Sequence, residues 1–203
     1  MKIVKPSVTL LWITPDPDTQ LELAGRTCYK SEDKITPESA EKFVLKMQSS
    51  GHHAMLEHAS ASFRIITDRG ITHEIVRHRL ASYAQESTRY CNYSKKKFGH
   101  ELSFIEPPGL TTKERSCWEV ACADAEYYYL SLVDDGCSSQ IARSVLPNCL
   151  KTELVMTANF REWQHFISLR SAPAAHPQIR PLAKEISNIL ASHSVMFKTF
   201  SEI

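Results

Sequence analysis

Long hydrophobic runs are missing from this sequence. The apolar run over residues 8–13 is followed at once by Pro15 and Pro17. No later run approaches the roughly 20 apolar residues that a membrane-spanning helix needs. We therefore expect a soluble, cytoplasmic protein without a membrane partner, and we expect residues 8–13 to form an edge strand rather than part of a signal segment.

An excess of charge of either sign is also missing. The 24 Lys and Arg residues stand against 23 Asp and Glu residues, which leaves a formal net charge of +1. This balance excludes the polycationic surface that binds nucleic-acid polymers, so any basic site must be local. Hydrophobic residues make up 42% and charged residues 23% of the chain, as in soluble globular proteins. The length of 203 residues favours a single domain over residues 1–203.

Paired cysteine motifs are the third absence. The six cysteines form no C-x-x-C pair and no zinc-ribbon spacing, so reduced thiols are the simpler interpretation. Histidines do cluster at His52, His53 and His58, and a further run joins His73 to His78. That run is H-E-x-x-x-H, one residue longer than the zinc signature, which turns its second histidine about 140° from the first on a helix. We predict no metal, and a metal hydrolase built on these histidines stays the weaker alternative.

What the sequence does have is a concentration of cationic and hydroxyl side chains from Arg77 to Tyr90, RHRLASYAQESTRY. This segment holds three Arg, one His and a single Glu, besides three Ser and Thr hydroxyls. Arg offers a rigid fork of donors to phosphate and stacks on planar rings, so the segment suits an anionic ligand with a flat polar ring. A basic, solvated helix end would explain the first three residues alone, but not the whole run.

Local periodicity predicts a geometry for this segment. Residues 71–78 favour a helix, on which Glu74 would lie one turn before Arg77 and His78 and orient both. From Ser82 onward the side chains favour an extended chain. Alternation along a strand would then place three donors on one face. These are Gln85, Ser87 and Arg89.

Residues 159–170 form the second informative pattern. Asn159 with Glu162 three positions later predicts a capped helix start. An apolar stripe follows and ends at Arg170. The stripe consists of Trp163, Phe166 and Ile167. Because an unpaired buried charge is costly, Arg170 needs a partner, which is either an acid at the rim of the core or an anionic ligand.

The rest of the chain favours an α+β fold. Strands are expected at residues 59–67, 101–105 and 150–157. Helices are expected at residues 18–29 with Leu21, Leu23 and Ala24 facing inward, at 36–51, at 111–135 and in a final segment that ends near Phe200. Thr36 is the expected N-cap of the second helix. Arg143 on an apolar helix is either paired or snorkelling. The lysines at 95–97 form a solvated loop or, less favoured, a substrate-steering patch.

The segment 77–90 resembles the signature RHRxxSxNExSxRY of the flavin-dependent thymidylate synthases, the ThyX family. The matching positions are Arg77, His78, Arg79, Ser82, Ser87, Arg89 and Tyr90. The chain departs from the signature at Ala84, where the pattern has Asn, and at Gln85, where it has Glu. The chain also resembles four further sequence blocks of the family, in the same order, at residues 51–58, 142–147, 159–170 and 175–180. Within the third block, His165 stands where Asn is more usual.

The resemblance implies a ThyX-like fold, in which a mixed or antiparallel sheet is flanked by helices. It implies that dUMP is methylated to dTMP, with 5,10-methylenetetrahydrofolate as carbon donor, reduced FAD as hydride source and NADPH as the reductant of the flavin. It also implies a homotetramer with shared active sites and no cysteine nucleophile. A flavin- or nucleotide-binding protein that lacks the methyl transfer stays an alternative.

The same resemblance implies roles for individual residues. The flavin would be bound by Ala54, Glu57, Arg77, His78, Arg79, Gln85, Asn159, Arg161 and His165. The dUMP would be bound by Glu74, Arg77, Gln85, Glu86, Ser87, Arg89, Arg143 and Arg170. Arg170 would also be catalytic, stabilising negative charge on the uracil ring, and His52 would lie near the entry of folate and NADPH.

Overall fold

A computed structural model describes residues 1–200 of the chain. Within them the strands are β1 (Lys2–Val4), β2 (Ser7–Ile13), β3 (Ser60–Asp68), β4 (Ala81–Gln85), β5 (Ser103–Ile105) and β6 (Lys151–Asn159). The α-helices are α1 (Pro17–Thr27), α2 (Ser39–Ser49), α3 (Arg69–Ile75), α4 (Thr112–Asp134), α5 (Ser139–Ala142), α6 (Phe160–Arg170) and α7 (Ile179–Ala191). Short 3₁₀ segments lie at Glu32–Lys34, His53–His58, Lys96–Phe98, Arg143–Val145 and Val195–Phe200.

The strands form a four-stranded sheet in the order β2-β3-β6-β4 and a parallel pair, β1 with β5. Hydrogen bonds at the strand ends give the directions in the larger sheet. The Phe160 N–H donates to the Ala59 carbonyl at 2.8 Å, and the Arg69 N–H donates to the Leu150 carbonyl at 3.1 Å. Each end of β3 therefore lies beside the opposite end of β6, so this pair is antiparallel. The α+β prediction with a mixed sheet is confirmed, and β2 is the edge strand that residues 8–13 predicted.

The long helices begin where capping chemistry predicts. Thr111 caps α4, because its hydroxyl accepts from the Glu114 N–H at 3.3 Å while the Glu114 carboxylate accepts from the Thr111 N–H at 2.8 Å. Asn159 caps α6, because its Oδ1 accepts from the Glu162 N–H at 2.9 Å. Asp68 caps α3 in the same way through the Ile71 N–H. The cap of α6 was expected from sequence, whereas α3 begins at Arg69, two residues before the expected start at residue 71.

The chain divides into two compact units. Unit 1 comprises Met1–Ser7, Ile65–Arg77 and Ala84–Leu154, and unit 2 comprises, within the described residues, Val8–Arg64, His78–Tyr83 and residues 155–200. The expectation of one domain over residues 1–203 stays a prediction.

Unit 1 has its own core, in which the buried Tyr129 of α4 contacts Tyr93 with ring centroids 5.9 Å apart. In unit 2, the buried indole of Trp163 packs edge-on against Phe63, with ring centroids 5.0 Å apart. Full burial of each large apolar side chain contributes about 1.5–3 kcal/mol to folding. Trp163 also donates its Nε1–H to the Ala61 carbonyl at 3.1 Å, which satisfies its one polar group.

Several local predictions were wrong, and each error has a physical cause. On α1 it is Glu22 that is buried, while Leu23 is 46% exposed, because Arg26 and Ser39 both bond the Glu22 carboxylate. Helix α2 starts at Ser39 rather than after Thr36, since the Ser39 hydroxyl accepts from the Thr36 N–H and closes a turn first.

At the C-terminal end, α7 stops at Ala191, and the expected continuation to Phe200 is the 3₁₀ segment Val195–Phe200. No helix among residues 1–200 has the length and apolar character to span a membrane. All six cysteines lie in this described part and are free thiols, as expected.

Candidate active site

A buried histidine lies at the centre of the polar cluster in unit 2. The His78 side chain is only 2% exposed. Its Nδ1 lies 2.9 Å from Glu162 Oε1, and its Nε2 accepts the Nε–H of Arg170 at 3.1 Å. Because the Arg170 guanidinium always donates, His78 Nε2 must carry the lone pair and Nδ1 the proton. His78 is therefore neutral and donates to Glu162, in one defined tautomer.

The electrostatics of His78 agree with this assignment. Burial lowers the pKa of His78 below its ordinary value, and the positive charge of Arg170 acts in the same direction, against the hydrogen bond to Glu162. The backbone of His78 is held as well, since the Tyr83 hydroxyl donates to its carbonyl at 2.6 Å. Burial raises the pKa of Tyr83 to about 12, which keeps that hydroxyl protonated.

Helix α6 supplies most of this cluster. Its Asn159 cap fixes where the helix starts, and the 3.6-residue period then turns Glu162 and Phe166 toward His78. The Phe166 ring lies 4.9 Å from the His78 ring, and the His165 ring lies 5.1 Å from it. His165 Nδ1 is 3.3 Å from the same Glu162 oxygen, but His165 is 61% exposed where Glu162 is 6% exposed.

A pocket of about 330 Å³ opens beside α6 in unit 2. It is lined by Glu57, Leu80, Asn159, Arg161, Glu162 and His165. Arg161 Nη1 and Glu57 Oε1 form an ion pair across 2.6 Å. Four of the residues expected at the flavin therefore line one pocket, together with the apolar side chain of Leu80. A guanidinium, an imidazole and an amide beside an apolar side chain fit the polar edge and the flat face of an isoalloxazine ring.

A second pocket of unit 2, of about 430 Å³, contains two more of the predicted residues. His52 and Ala54 line it, and Arg161 belongs to its wall as well as to that of the first pocket. The remaining predicted flavin residue of unit 2, Arg79, is exposed.

Unit 1 has a pocket of about 460 Å³ with two arginines. It is lined by Arg69, His73, Thr88, Gln140, Ile141, Arg143, Ser144, Leu146, Pro147 and Asn148. Arg143 Nη1 donates to the Thr88 hydroxyl at 3.2 Å, and Arg69 Nη1 donates to the Glu86 carbonyl at 3.3 Å. Both cations thus have neutral partners here, which is the donor arrangement that an anion such as a phosphate needs. The partner that the structure gives to Arg143 is thus a neutral hydroxyl.

Two residues of the family signature are bonded inside unit 1. Gln85 Nε2 donates to the hydroxyls of Thr72 at 3.0 Å and Thr152 at 3.3 Å, contacts that only the amide of Gln, and not the carboxylate of Glu, makes as a donor. The Glu86 carboxylate accepts from the Tyr93 hydroxyl at 2.8 Å and from Lys151 at 3.2 Å. Burial raises the pKa of Tyr93, so its hydroxyl stays a donor.

Two geometric predictions for the signature were wrong. Helix α3 ends at Ile75, so no continuous helix carries Glu74 one turn before Arg77 and His78, and Glu162 is the carboxylate that orients His78. Arg77 itself is exposed.

Strand β4 ends at Gln85, and a turn follows in which the Ser87 carbonyl accepts from the N–H groups of Tyr90 and Cys91. Gln85, Ser87 and Arg89 therefore do not share one strand face. Arg89 is exposed, and its carbonyl accepts from the Ser139 hydroxyl at 3.0 Å.

Sequence reasoning missed several residues of these clusters. Glu162 was noticed only as a helix-start residue, although its position four residues before Phe166 and eight before Arg170 places an acid on the same helix face. Arg69 had no distinguishing pattern, whereas His73 was noticed only in the H-E-x-x-x-H run and Thr88 only among the hydroxyls of residues 77–90. The fold brings all three to Arg143 from other parts of the chain.

One group in the described part of the chain has the composition of a metal site. The ligand atoms of His78, Glu162 and His165 lie within 4.8 Å of one another. Of the histidines that suggested a metal hydrolase, only His78 belongs to this group, and His52, His53 and His58 do not. Both nitrogens of His78 are engaged, one by Glu162 and the other by the cation of Arg170, so a metal ion at Nε2 would displace the guanidinium.

Comparisons with known proteins agree with the signature. The family model described as "Thymidylate synthase complementing protein" matches residues 9–194. A flavin-dependent thymidylate synthase of Geobacter sulfurreducens is 39% identical over 90% of this chain and 81% of that protein. One of Mycolicibacterium gilvum is 36% identical over 89% of this chain and 78% of that protein.

The fold itself is shared with solved structures. A UMP/dUMP methylase from Streptomyces cacaoi, crystallised with 5-Br dUMP, superposes with a TM-score of 0.83, covering 98% of this chain and 96% of that one at 24% identity. That likeness shows the architecture, while the family model and the relatives at 36–39% identity show the lineage. The chain therefore belongs to the family of thymidylate synthase complementing proteins, the flavin-dependent thymidylate synthases.

Proposed function

We propose that this protein is a flavin-dependent thymidylate synthase that converts dUMP to dTMP. The match of the family model over residues 9–194 carries this proposal. In the overall reaction the methylene group of 5,10-methylenetetrahydrofolate passes to C5 of the uracil, and NADPH supplies the two electrons that reduce it to a methyl group. The products are dTMP, tetrahydrofolate and NADP⁺.

FAD fits the residues of unit 2 that line the pocket beside α6. Asn159, Arg161 and His165 would bind the flavin from the first turns of that helix, with Glu57 holding Arg161. Ala54, His78 and Arg79, and in unit 1 Arg77 and Gln85, are the further contacts that the family signature suggests. When bound and reduced, the flavin supplies the hydride that the methylation consumes.

The unit 1 pocket supports a nucleotide monophosphate. Arg143, with Thr88 beside it, would donate to the phosphate of dUMP, because a charged fork and a hydroxyl complement its oxygens. Glu74, Arg77, Gln85, Glu86, Ser87 and Arg89 are proposed as further dUMP contacts from the same signature.

Arg170 is the proposed catalytic residue. Its Nε–H is committed to His78, so contact with a substrate ring must come from the Nη groups, which form the outer edge of a planar fork. Two parallel N–H groups suit adjacent acceptors of a uracil, and they stabilise negative charge that develops on the ring during reduction. No cysteine nucleophile is needed in this scheme, in keeping with the family.

The second pocket of unit 2, which contains His52, is the proposed entry for folate and NADPH. We also propose a homotetramer with shared active sites, and a cytoplasmic location.

The test is the purified protein with dUMP, 5,10-methylenetetrahydrofolate and NADPH. We expect a visible flavin spectrum and formation of dTMP that requires all three substrates. NADPH oxidation that depends on dUMP but yields no dTMP would instead indicate a nucleotide-binding flavoprotein without methyl transfer. Elution as an active monomer in light scattering would contradict the tetramer.

A further inference from the structure

The carboxylate of Glu162 has no role in the family signature, yet it is buried and bonded to the single histidine of that signature, His78. We infer that Glu162 is a positioning residue, which selects the Nδ1–H tautomer of His78 and thereby fixes the orientation of Arg170. The role of Arg170 rests on the proposed function, whereas the effect of Glu162 on His78 does not.

The inference follows from the donors and acceptors along one chain of contacts. Arg170 Nε carries a hydrogen and needs an acceptor, which His78 Nε2 provides at 3.1 Å only while it is unprotonated. With the proton on Nε2 instead, two N–H groups would face each other across this distance. The proton must therefore be on Nδ1, where a carboxylate at 2.9 Å accepts it. A carboxylate only accepts, so Glu162 excludes the other neutral tautomer.

The Glu162 side chain is not needed for the start of α6. The Asn159 side chain already caps the Glu162 N–H, and the Glu162 Oε1 atom is bonded to His78 and His165. A helix-start role would place this carboxylate on a backbone N–H of the first turn, as Glu114 does in α4. The Glu162 carboxylate is thus bonded to the two histidine side chains rather than to the backbone of the first helical turn.

Of the two histidines on Glu162, His78 is the one whose position depends on it. The contact to His78 is 2.9 Å between side chains that are 2% and 6% exposed. The contact to His165 is 3.3 Å, and His165 is 61% exposed, so water can replace it. His78 is buried, so water cannot replace Glu162 at its Nδ1 in the same way. The Phe166 ring packs against the His78 ring, and the Tyr83 hydroxyl holds the His78 backbone carbonyl.

The first experiment measures the tautomer directly, without any bound cofactor or substrate. In ¹⁵N-histidine-labelled protein, the Nδ1 and Nε2 chemical shifts of His78 show which nitrogen carries the proton. We expect a single Nδ1–H form in the wild type and a mixture, or the Nε2–H form, in Glu162→Gln, because the amide can donate to Nδ1 as well as accept from it. The exposed Glu185→Gln on α7 makes the same change of charge elsewhere and should leave the wild-type signal.

The second experiment separates positioning from folding and from binding. In Glu162→Ala we expect oxidation of reduced flavin by substrate to slow by about 10- to 100-fold, as when a carboxylate that orients a functional histidine is removed. The dissociation constants of dUMP and flavin should rise by a smaller factor than the rate falls, because the other contacts proposed for each ligand remain. Glu162→Gln, which keeps the size and one acceptor, should recover part of the rate.

Each outcome bears on one idea. An unchanged His78 tautomer in Glu162→Gln would overturn the inference even if the protein makes dTMP. A wild-type protein that makes no dTMP would overturn the proposed function and leave the tautomer result standing. If Glu162→Ala does not fold, the Gln variant still decides, since its tautomer and rate are measured on folded protein. Equal losses of rate and of ligand affinity would also contradict positioning and indicate a structural role.

Discussion

The arginines of the two units are held in different ways. In the unit 1 pocket, Arg143 and Arg69 donate to a hydroxyl and to a carbonyl, so their charges are not neutralised by these contacts. In unit 2, Arg170 donates to a buried imidazole that is itself fixed by a buried carboxylate. The first arrangement suits the binding of a ligand that is already negatively charged, such as a phosphate. The second fixes the direction of a donor, which is what charge developing during a reaction requires.

Arg170→Lys should have the largest effect. Lys keeps the charge but loses the planar fork and the Nε–H that bonds His78, so we expect the oxidation of reduced flavin by substrate to slow roughly 100- to 1000-fold. Stopped-flow absorbance at the flavin band measures it. Arg64→Lys, an exposed arginine on β3, is the control and should react at the wild-type rate. Near-wild-type rates in Arg170→Lys would show that the fixed geometry is not used in the reaction.

Arg143→Ala should weaken dUMP binding by about 1.5–3 kcal/mol, because a charged hydrogen bond to phosphate is lost from an open pocket. Titration calorimetry with dUMP measures this, and a parallel flavin titration should be unchanged. Arg115→Ala removes an arginine of α4 that pairs with Glu106 and Glu119, and it should leave dUMP binding intact. Equal losses for the two ligands in Arg143→Ala would contradict the assignment of this pocket to the nucleotide.

The pH dependence of stability should show that His78 is buried in the neutral form. Its pKa is lowered from the ordinary 6.5, mainly by burial. At a pH between the folded-state pKa of His78 and 6.5, the unfolded chain binds a proton at this residue that the folded protein does not bind. The contribution of neutral His78 to the free energy of unfolding is therefore fully present above pH 6.5 and is lost as the pH falls toward the folded-state pKa. We expect the free energy of unfolding to fall less between pH 7 and pH 5 in His78→Gln than in the wild type.

Urea denaturation at several pH values measures this slope. The exposed His193→Gln should keep the wild-type slope. If His78→Gln keeps it too, His78 is not a neutral, buried group in solution.

Thr111→Ala should have the smallest effect and touches neither group of arginines. Loss of the cap of α4 should cost about 1 kcal/mol of stability, as for Thr caps generally. Turnover and dUMP affinity should stay at wild-type values. A fall in either would mean that the start of α4 influences the pocket of unit 1.

Local signals predicted local structure well. The capping pattern of Asn159 with Glu162 placed the start of α6, and the helical pattern over residues 111–135 placed α4. The ends of α3 and β4 were missed, because the chain after Ile75 and Gln85 follows long-range partners rather than its own propensities.

The candidate site shows the same limit. The family blocks named His78 and Arg170, but these two bonded residues lie 92 positions apart, and Glu162, which bonds the other nitrogen of His78, lies 84 positions from it. A periodic pattern relates residues within one helix or strand, so it cannot predict a contact between residues so far apart in the sequence. Glu162, the acid on the same face of α6 as Arg170, was the one available signal. It indicated that this face has a polar partner but did not identify His78 as that partner.

Arg161 lies in the walls of two pockets at once, and it is tied by its ion pair to Glu57. A ligand that draws this guanidinium into one pocket withdraws it from the other and frees the Glu57 carboxylate. Occupancy of the two cavities is then thermodynamically linked, and the linkage is reciprocal: whatever factor the first ligand imposes on the second, the second imposes on the first. One surface side chain shared by two cavities would thus make the affinity of each cavity depend on whether the other is occupied.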